Sequence, residues 1–181
     1  MDHDRQTKEL ISASELSIEI DNLAAQIKVD YTNKEVVLAG VLKGSYIFLA
    51  DLSRSLWQQG LKDFEVDFLG ISSYGKDTES SKNPQITKDL SIDIRNRHVL
   101  IVEDIVDTGY SLEALRGLLG QRHPLSLKTV VLLSKTNRRE IKVPVEYIGF
   151  EVSGWVEGYG LDSDEKYRGR PNIVEIINSD N

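Results

Sequence analysis

Short runs of valine, isoleucine and leucine recur along the chain, and segments with helical spacing separate them. Bounded by turn residues and charged residues, each run indicates a buried strand. Strands that alternate with helices form a mainly parallel sheet covered on both faces. We therefore predict an α/β fold with an open, doubly wound, mainly parallel sheet flanked by helices. The predicted strands are 35–41, 64–71, 98–104, 127–134, 145–150 and 173–177.

The segments between these strands carry helix signals. Ser12 and Glu15 form the capping box S-x-x-E, which predicts the start of a first helix. Residues 44–59 and 111–119 predict two more helices. Residues 72–88 are polar instead, and we expect them to form a mobile functional loop because long loops in compact domains are usually functional.

Charged side chains gather where the predicted strands end. Glu103 and Asp104 follow an apolar run directly, and Asp107 stands three residues further on, before Thr-Gly. Buried carboxylates are costly unless they have partners. In open α/β sheets, ligands bind beyond the carboxyl ends of the strands. The residues expected at that edge are Lys43, Glu103, Asp104 and Lys135.

Residues 107–111, between a strand and a helix, predict a phosphate-binding turn. Gly109 allows a tight turn, and the first amides of the helix are unpaired donors that favour an anion. Thr108 and Ser111 add hydroxyl donors. The neighbouring acid pair suits vicinal hydroxyls or a hydrated magnesium ion. A phosphate beside a diol outlines a ribose 5-phosphate.

Other interpretations of these residues exist. Asp107 before Thr-Gly is often only a helix N-cap, although a cap accounts for one acid and not for the adjacent pair. Phosphoacceptor receiver domains also place an acid pair and a strand-end lysine at this edge, but here the pair lies on a late strand with no earlier acceptor aspartate. The Walker pattern G-x-x-x-x-G-K-[ST] is absent.

Composition narrows the classes of function. The net charge of −7 argues against a general basic surface for nucleic acid, and the chain has no cysteine for disulfides or thiolate metal sites. The polar N-terminus lacks a signal-peptide core, and no run is long enough to span a membrane. We expect a cytoplasmic protein without nucleic-acid or membrane partners.

Several stretches resemble the type I phosphoribosyltransferase family. VLIVEDIVDTGYSL (99–112) is similar to its signature for phosphoribosyl pyrophosphate. Four more stretches, in the expected order, resemble its hypoxanthine-guanine branch. They are LKGSYIFLADL (42–52, pyrophosphate loop and helix), SSYG (72–75, active-site flap), and LLSKT (132–136) with WVEGYGLDSDEKYRGRPNI (155–173), the purine-binding hood. The resemblance implies one domain, 1–181, with its core at about 35–150 and a small hood lobe from both chain ends, mainly 151–181.

The resemblance also implies the activity and residue roles. The enzyme would transfer the 5-phosphoribosyl group from phosphoribosyl pyrophosphate to N9 of hypoxanthine or guanine, with Mg²⁺ as cofactor and Asp107 as general base. The 5-phosphate and ribose would be bound by Glu103, Asp104, Asp107, Thr108, Gly109, Tyr110 and Ser111. Pyrophosphate would be bound by Leu42, Lys43, Gly44 and Arg168, with a cis peptide bond between Leu42 and Lys43. The purine would be bound by Lys135, Trp155, Val156 and Asp162, the metal by Glu103, Asp104 and Asp162, and the flap would carry Ser73 and Tyr74.

Two positions depart from the family pattern or vary within it. Glu157 stands where the family usually has an apolar residue, and Tyr110 occupies a variable position of the phosphate turn. The family further implies a homodimer or homotetramer. The alternative from another class is a regulator on the same fold that binds the donor to control transcription, which would need a local basic surface for nucleic acid.

Overall fold

A computed structural model describes residues 6–72 and 85–177, and it has the predicted α/β architecture. A short 3₁₀ helix, Thr136–Arg138, is present in addition to the helices and strands given next. The helices are α1 Ala13–Tyr31, α2 Tyr46–Gln58 and α3 Tyr110–Gly120. The strands are β1 Gln6–Ile11, β2 Val36–Leu42, β3 Phe64–Ser72, β4 Gln85–Lys88, β5 His98–Val106, β6 Ser126–Ser134, β7 Tyr147–Glu151, β8 Val156–Glu157 and β9 Ile173–Ile177.

The central sheet has six strands in the order β4-β3-β2-β5-β6-β7. All neighbours are parallel except β4, which pairs antiparallel with β3 at the edge. Successive residues of a strand point to opposite faces. On one face, Leu38 and Leu100 belong to the apolar cluster that also contains residues of α1 and α2, such as Leu23. On the other face, Val99 belongs to the cluster that contains Leu115 of α3. The sheet is therefore covered on both sides, as a doubly wound fold requires.

The two ends of the chain meet in a second, smaller sheet. Its strands lie in the order β1-β9-β8 and are antiparallel. Ile11 on β1 and Ile173 on β9 are buried and join the cluster beneath α1 and α2. This sheet carries the segment predicted to be the hood to the edge of the central sheet. Within residues 6–72 and 85–177, no helix is long and apolar enough to cross a bilayer.

Two predicted boundaries and the set of predicted strands need correction. Strand β5 continues to Val106, because Ile105 and Val106 keep pairing with β6, so the acids Glu103 and Asp104 lie within the strand and not beyond it. The polar stretch 72–88 ends in a strand, because β4 finds a pairing edge on β3. Strands β1 and β8 were not predicted either. The capping box at the start of α1 is confirmed, since Ser12 Oγ accepts from Glu15 N and Glu15 Oε2 accepts from Ser12 N.

Asp67 on β3 binds the segment that follows β4 through hydrogen bonds. Its carboxylate accepts hydrogen bonds from Phe68 N at 2.7 Å, Ser91 N at 2.5 Å and Ile92 N at 3.0 Å. Burial alone would raise the pKa of Asp67, but these amides and Lys88 outweigh burial and hold that pKa below 3.8. A lowered pKa in the folded state stabilises the fold above the unfolded value, and this stabilisation is lost as the pH falls through the lowered value.

Asp67→Ala should lower the free energy of unfolding by about 2–4 kcal/mol at neutral pH, because it removes a buried acceptor from several amides at once. Urea unfolding measures this change. Asp93→Ala is the matched control, since exposed Asp93 accepts, among the described residues, from the nearby Arg95 N alone, and it should cost less than about 1 kcal/mol. Equal losses for the two variants would contradict an anchoring role for Asp67.

Candidate active site

The turn between β5 and α3 has the geometry of an anion site. Gly109 is the N-cap of α3 and has φ +99°, a left-handed conformation that favours glycine. The carbonyl of Thr108 accepts from Glu140 N at 3.0 Å and Ile141 N at 3.1 Å, which fixes the turn from the outside. The turn lines a cavity of about 230 Å³ together with Glu103, Asp107 and Ser111. The helix N-terminus therefore opens into a small cavity with hydroxyl groups at its rim.

The two adjacent acids point to opposite sides of β5. Glu103 lines the cavity at the phosphate turn, whereas the carboxylate of Asp104 lies against Gly44. Burial raises the pKa of Asp104 to about 6. Burial, and then the charge of Asp104, raises the pKa of Glu103 well above 4.5. Glu103 Oε2 is buried and has no hydrogen-bond partner in the part of the chain that the structure describes. Both carboxylates would be stabilised by a ligand that brings hydroxyl groups or positive charge.

The loop after β2 passes close to both β5 and the hood. Its Leu42–Lys43 peptide bond is cis, as the resemblance implies. A Cβ atom on Gly44 would lie 1.7 Å from Asp104 Oδ2, and one on Gly160 would lie 2.0 Å from Gly44 O. Only glycine fits at either position without moving the backbone or the carboxylate. The three segments are therefore in direct contact.

Asp107 lies between two cations. Lys135 Nζ is 3.3 Å from Asp107 Oδ2, and Arg138 Nε is 3.3 Å from Asp107 Oδ1. Lys135 is only 4% exposed, and its backbone N–H donates to Val106 O at 2.9 Å, so its position is tied to the end of β5. The charged ends of Lys135 and Arg138 lie 5.3 Å and 5.8 Å from the ring centroid of Trp155. Trp155 is 51% exposed, so a ring face is available to a planar ligand.

A hairpin of the hood brings further charged side chains to the loop after β2. Arg168 Nη2 lies 2.8 Å from Asp162 Oδ1 and 3.2 Å from Glu165 Oε2, and Arg168 Nη1 donates to Gly160 O at 2.9 Å. Lys43 Nζ lies 2.8 Å from the same oxygen of Glu165. These contacts lower the pKa of Glu165, the bond from Lys43 most of all. The hairpin thus joins the hood to the loop after β2.

The two hood residues next to Trp155 are both buried. Val156 is 7% exposed and pairs with β9 through its backbone. Glu157, the departure from the family pattern, is 1% exposed, and its Oε1 lies 3.7 Å from Arg170 Nη2. An acid is tolerated at this position because a cation faces it.

The structure brings most of the predicted site residues to one edge of the central sheet. The side chain at the variable position, Tyr110, donates from its hydroxyl to Glu140 Oε2 at 3.1 Å. Ser73 and Tyr74, predicted for the flap, lie outside the described residues. Sequence reasoning missed Arg138 and Glu165. Two arginines close behind Lys135 are a signal that could have identified the first, while nothing in the sequence pairs Glu165 with Lys43.

A magnesium ion fits this donor set when substrate oxygens complete its coordination. No group of three or more acids and histidines within residues 6–72 and 85–177 is close enough to form a metal site on its own. Asp104 is nevertheless buried and Glu103 half-buried, and the raised pKa values of both carboxyl groups call for positive charge. Mg²⁺ in proteins is commonly held by one or two carboxylates, with waters and substrate phosphates as its other ligands.

Comparisons with known proteins find relatives over most of the chain. A family model described as a phosphoribosyl transferase domain matches residues 6–164. The hypoxanthine phosphoribosyltransferase of Haemophilus influenzae is 42% identical over 172 residues, which cover 93% of this chain and 94% of that protein. A crystal structure of a Bacillus anthracis hypoxanthine-guanine phosphoribosyltransferase is 37% identical, with a TM-score of 0.87 and coverage of 96% and 99%. A Trypanosoma cruzi hypoxanthine phosphoribosyl transferase structure is 36% identical, with a TM-score of 0.90 and coverage of 98% and 94%.

Proposed function

Since this chain belongs to the phosphoribosyltransferase family, we propose that the edge of its central sheet joins phosphoribosyl pyrophosphate to a 6-oxopurine. The chain is a hypoxanthine or guanine phosphoribosyltransferase of purine salvage. The products are inosine or guanosine monophosphate and pyrophosphate. The observation that carries this conclusion is the turn at Gly109, suited to an anion, next to the buried Glu103 Oε2, which has no hydrogen-bond partner among the described residues. A ribose phosphate meets both needs with one molecule.

The donor would lie along the loops at this edge. Its 5-phosphate accepts from the amides and hydroxyls of residues 107–111, and its ribose hydroxyls donate to Glu103 and Asp104. Its pyrophosphate meets Gly44, Lys43 and Arg168. The donor is highly anionic, and so is the chain, whose net charge is −7. Local positive charge at the α3 N-terminus and on these two cations must therefore attract it.

We assign Mg²⁺ as the cofactor. Glu103, Asp104 and Asp162 are the residues that would hold it, together with oxygens of the donor. When bound, it would neutralise charge that builds up on departing pyrophosphate. The three side chains belong to two elements, since Asp162 is on the hood and the others are on β5. They would therefore draw the hood and the sheet edge together around the donor.

The reaction follows from the positions of the remaining side chains. Lys135 donates to the 6-oxo group of the purine, Trp155 stacks on its ring, and the backbone of Val156 meets its edge. When Lys135 turns to the purine, Asp107 loses one of its two cationic neighbours and is left to accept a proton near N7. N9 then attacks C1 of the ribose as pyrophosphate leaves, and positive charge develops on the sugar.

The donor-binding transcriptional regulator is the other candidate. Similarity to transcriptional regulators would support this function, but the similar proteins are named as transferases. The acidic net charge of the chain also disfavours it. No observation favours a second function over the transferase.

The experiment is an assay of purine bases with phosphoribosyl pyrophosphate, with and without Mg²⁺. Hypoxanthine and guanine should give their nucleotides with Mg²⁺ and should give little product after chelation by EDTA, with activity restored by added Mg²⁺. Xanthine is included because the sequence does not rank it. The absence of nucleotide from every base would overturn the proposed function, and full activity in EDTA would overturn the metal assignment.

Tryptophan fluorescence tests the purine position, because the chain has two tryptophans. Trp57, at the end of α2, is 55% exposed and lies 5.1 Å from Lys62 Nζ, far along the chain from the hood. Inosine monophosphate should stack on Trp155, a contact worth roughly 1–3 kcal/mol in comparable base–aromatic pairs. Stacking should then quench the fluorescence of Trp155. The signal should persist in Trp57→Phe and vanish in Trp155→Phe, which keeps a ring and still binds. A full signal in Trp155→Phe would remove this residue from the purine site.

We also propose a homo-oligomer in the cytoplasm. The Trypanosoma cruzi structure was studied for the role of its C-terminal region in oligomeric state. Here, Tyr46 and Trp57 are 43% and 55% exposed and lie about three turns apart on α2, so they share one face that a second copy could cover. Light scattering distinguishes monomer, dimer and tetramer. The cytoplasm is proposed because a donor with several negative charges does not cross membranes unaided.

A further inference from the structure

One carboxylate oxygen lies between the two cations assigned to pyrophosphate. Glu165 Oε2 is 2.8 Å from Lys43 Nζ and 3.2 Å from Arg168 Nη2. The shorter distance is typical of a charge-assisted hydrogen bond, and the longer one is at the upper end of the hydrogen-bond range. An oxygen of pyrophosphate that bound both cations would need to lie in the same position. Glu165 and the pyrophosphate group therefore compete for the same donors.

The backbone directs Glu165 toward this position. Asp164 and Glu165 both have left-handed conformations, with φ of +52° and +62°. Glu165 N donates to Asp162 Oδ2 at 2.9 Å, and a bridge between Ser163 and Lys166 closes the turn. The main chain of Glu165 is thus tied to the hood hairpin. Its side chain is 66% exposed, so the carboxylate can move into solvent without disturbing buried groups.

We propose that Glu165 is an internal counter-ion of the pyrophosphate subsite and that it sets the affinity for pyrophosphate and for the donor; this inference rests on the proposed function. The carboxylate pairs with both Lys43 and Arg168 before pyrophosphate binds. Pyrophosphate carries several charges where Glu165 carries one, so it displaces the carboxylate. The ion pairs form again as the product leaves, which weakens product binding.

The exposure of the pairs limits the size of this effect. An exposed ion pair contributes up to about 1 kcal/mol, because water screens it. Glu165 contacts two cations through one oxygen, and displacement breaks both contacts. We therefore expect Glu165 to weaken pyrophosphate binding by roughly 3- to 10-fold. The purine end of the site is expected to be unaffected, since Glu165 contacts neither Lys135 nor Trp155 in the described contacts.

Glu165→Gln is the main test. Calorimetric titration of the full chain with magnesium pyrophosphate should give a dissociation constant about 3- to 10-fold lower than that of wild type. The KM for the donor should fall by a similar factor, the KM for hypoxanthine should not change, and kcat should stay the same or fall. A general loss of structure would weaken both substrates, so tighter pyrophosphate binding identifies the counter-ion role.

Two variants separate the position of the charge from its presence. Asp164→Asn removes the same charge from the neighbouring, exposed residue, which forms none of the ion pairs among the described residues, and it should change pyrophosphate affinity less than twofold. Glu165→Asp keeps the net charge but withdraws the carboxylate by one methylene, and it should also tighten binding. Unchanged or weaker pyrophosphate binding in Glu165→Gln, or an equal gain in Asp164→Asn, would overturn the inference. If either of these results is obtained while wild type is active, the proposed function still stands. If wild type is inactive, the proposed function is contradicted but the counter-ion role is not, because pyrophosphate titration needs no turnover.

Discussion

Asp107→Asn is expected to lower kcat by roughly 10²- to 10⁴-fold, the usual contribution of a general base. Asparagine keeps the shape of the side chain, and its single carbonyl oxygen can still accept from one of the two cations, Lys135 or Arg138, which lie 3.3 Å from the two carboxylate oxygens. It cannot take the purine proton. Steady-state kinetics at saturating donor and hypoxanthine measure kcat, and equilibrium titration with the donor measures its binding, which should change little.

The control for this variant is Glu113→Gln. Glu113 lies in the first turn of α3 and is exposed, so its replacement removes one negative charge near the same phosphate turn without touching the base. Its kcat should remain within about twofold of wild type, since exposed charges have small effects. If Asp107→Asn turns over as fast as Glu113→Gln at saturation, Asp107 has no role as the base and acts only in the turn.

Lys135 should make adenine a negligible substrate. In the proposed site its buried ammonium would donate to the 6-oxo group of hypoxanthine, whereas adenine would place an amino donor against it. Sites with such buried polar matching reject the wrong partner by about 10⁴-fold. Wild type should show this ratio of kcat/KM between hypoxanthine and adenine. In Lys135→Gln the amide can turn either its oxygen or its nitrogen to the base, and the ratio should fall to roughly 10–100.

Lys142→Gln is the matched control for Lys135. Lys142 is exposed and lies in the loop after the 3₁₀ helix, so its loss changes the net charge equally but leaves the buried ammonium in place. It should keep the selectivity of wild type. Comparable turnover of adenine and hypoxanthine by wild type would contradict the assignment of Lys135 to the 6-oxo group.

The central strands were predictable because burial on both faces leaves an unbroken apolar run. Residues 36–41 of β2 are all buried, and this run stands out in the sequence. Strand β1 carries no such signal, since Ile11 is its only buried residue and its polar side chains face solvent. All four residues of β4 are exposed as well. These two strands exist because their backbones pair with β9 and β3, which local sequence does not encode.

The candidate site also has a part that the local sequence predicts and a part that depends on contacts between distant segments. Residues 107–111 could be assigned from sequence because turn chemistry is local, and the structure has the left-handed Gly109 that such a turn needs. Contacts between distant segments could not be assigned. Lys43 and Glu165 are 122 residues apart, and the orientation of Glu157 depends on Arg170 across a hairpin. Chains with identical local motifs could differ at all of these contacts.

The close packing of Gly44 and Gly160 limits how this enzyme could be engineered. A side-chain carbon at Gly160 would come within 2.0 Å of Gly44 O, and one at Gly44 within 1.7 Å of Asp104 Oδ2. Positions 44 and 160 are therefore poor choices for a mutant library. A design that widens the hood by moving its backbone at 160 would also displace the loop assigned to the leaving group. Directed evolution toward other bases should instead vary side chains on an unchanged backbone, beginning with Trp155 and Arg138.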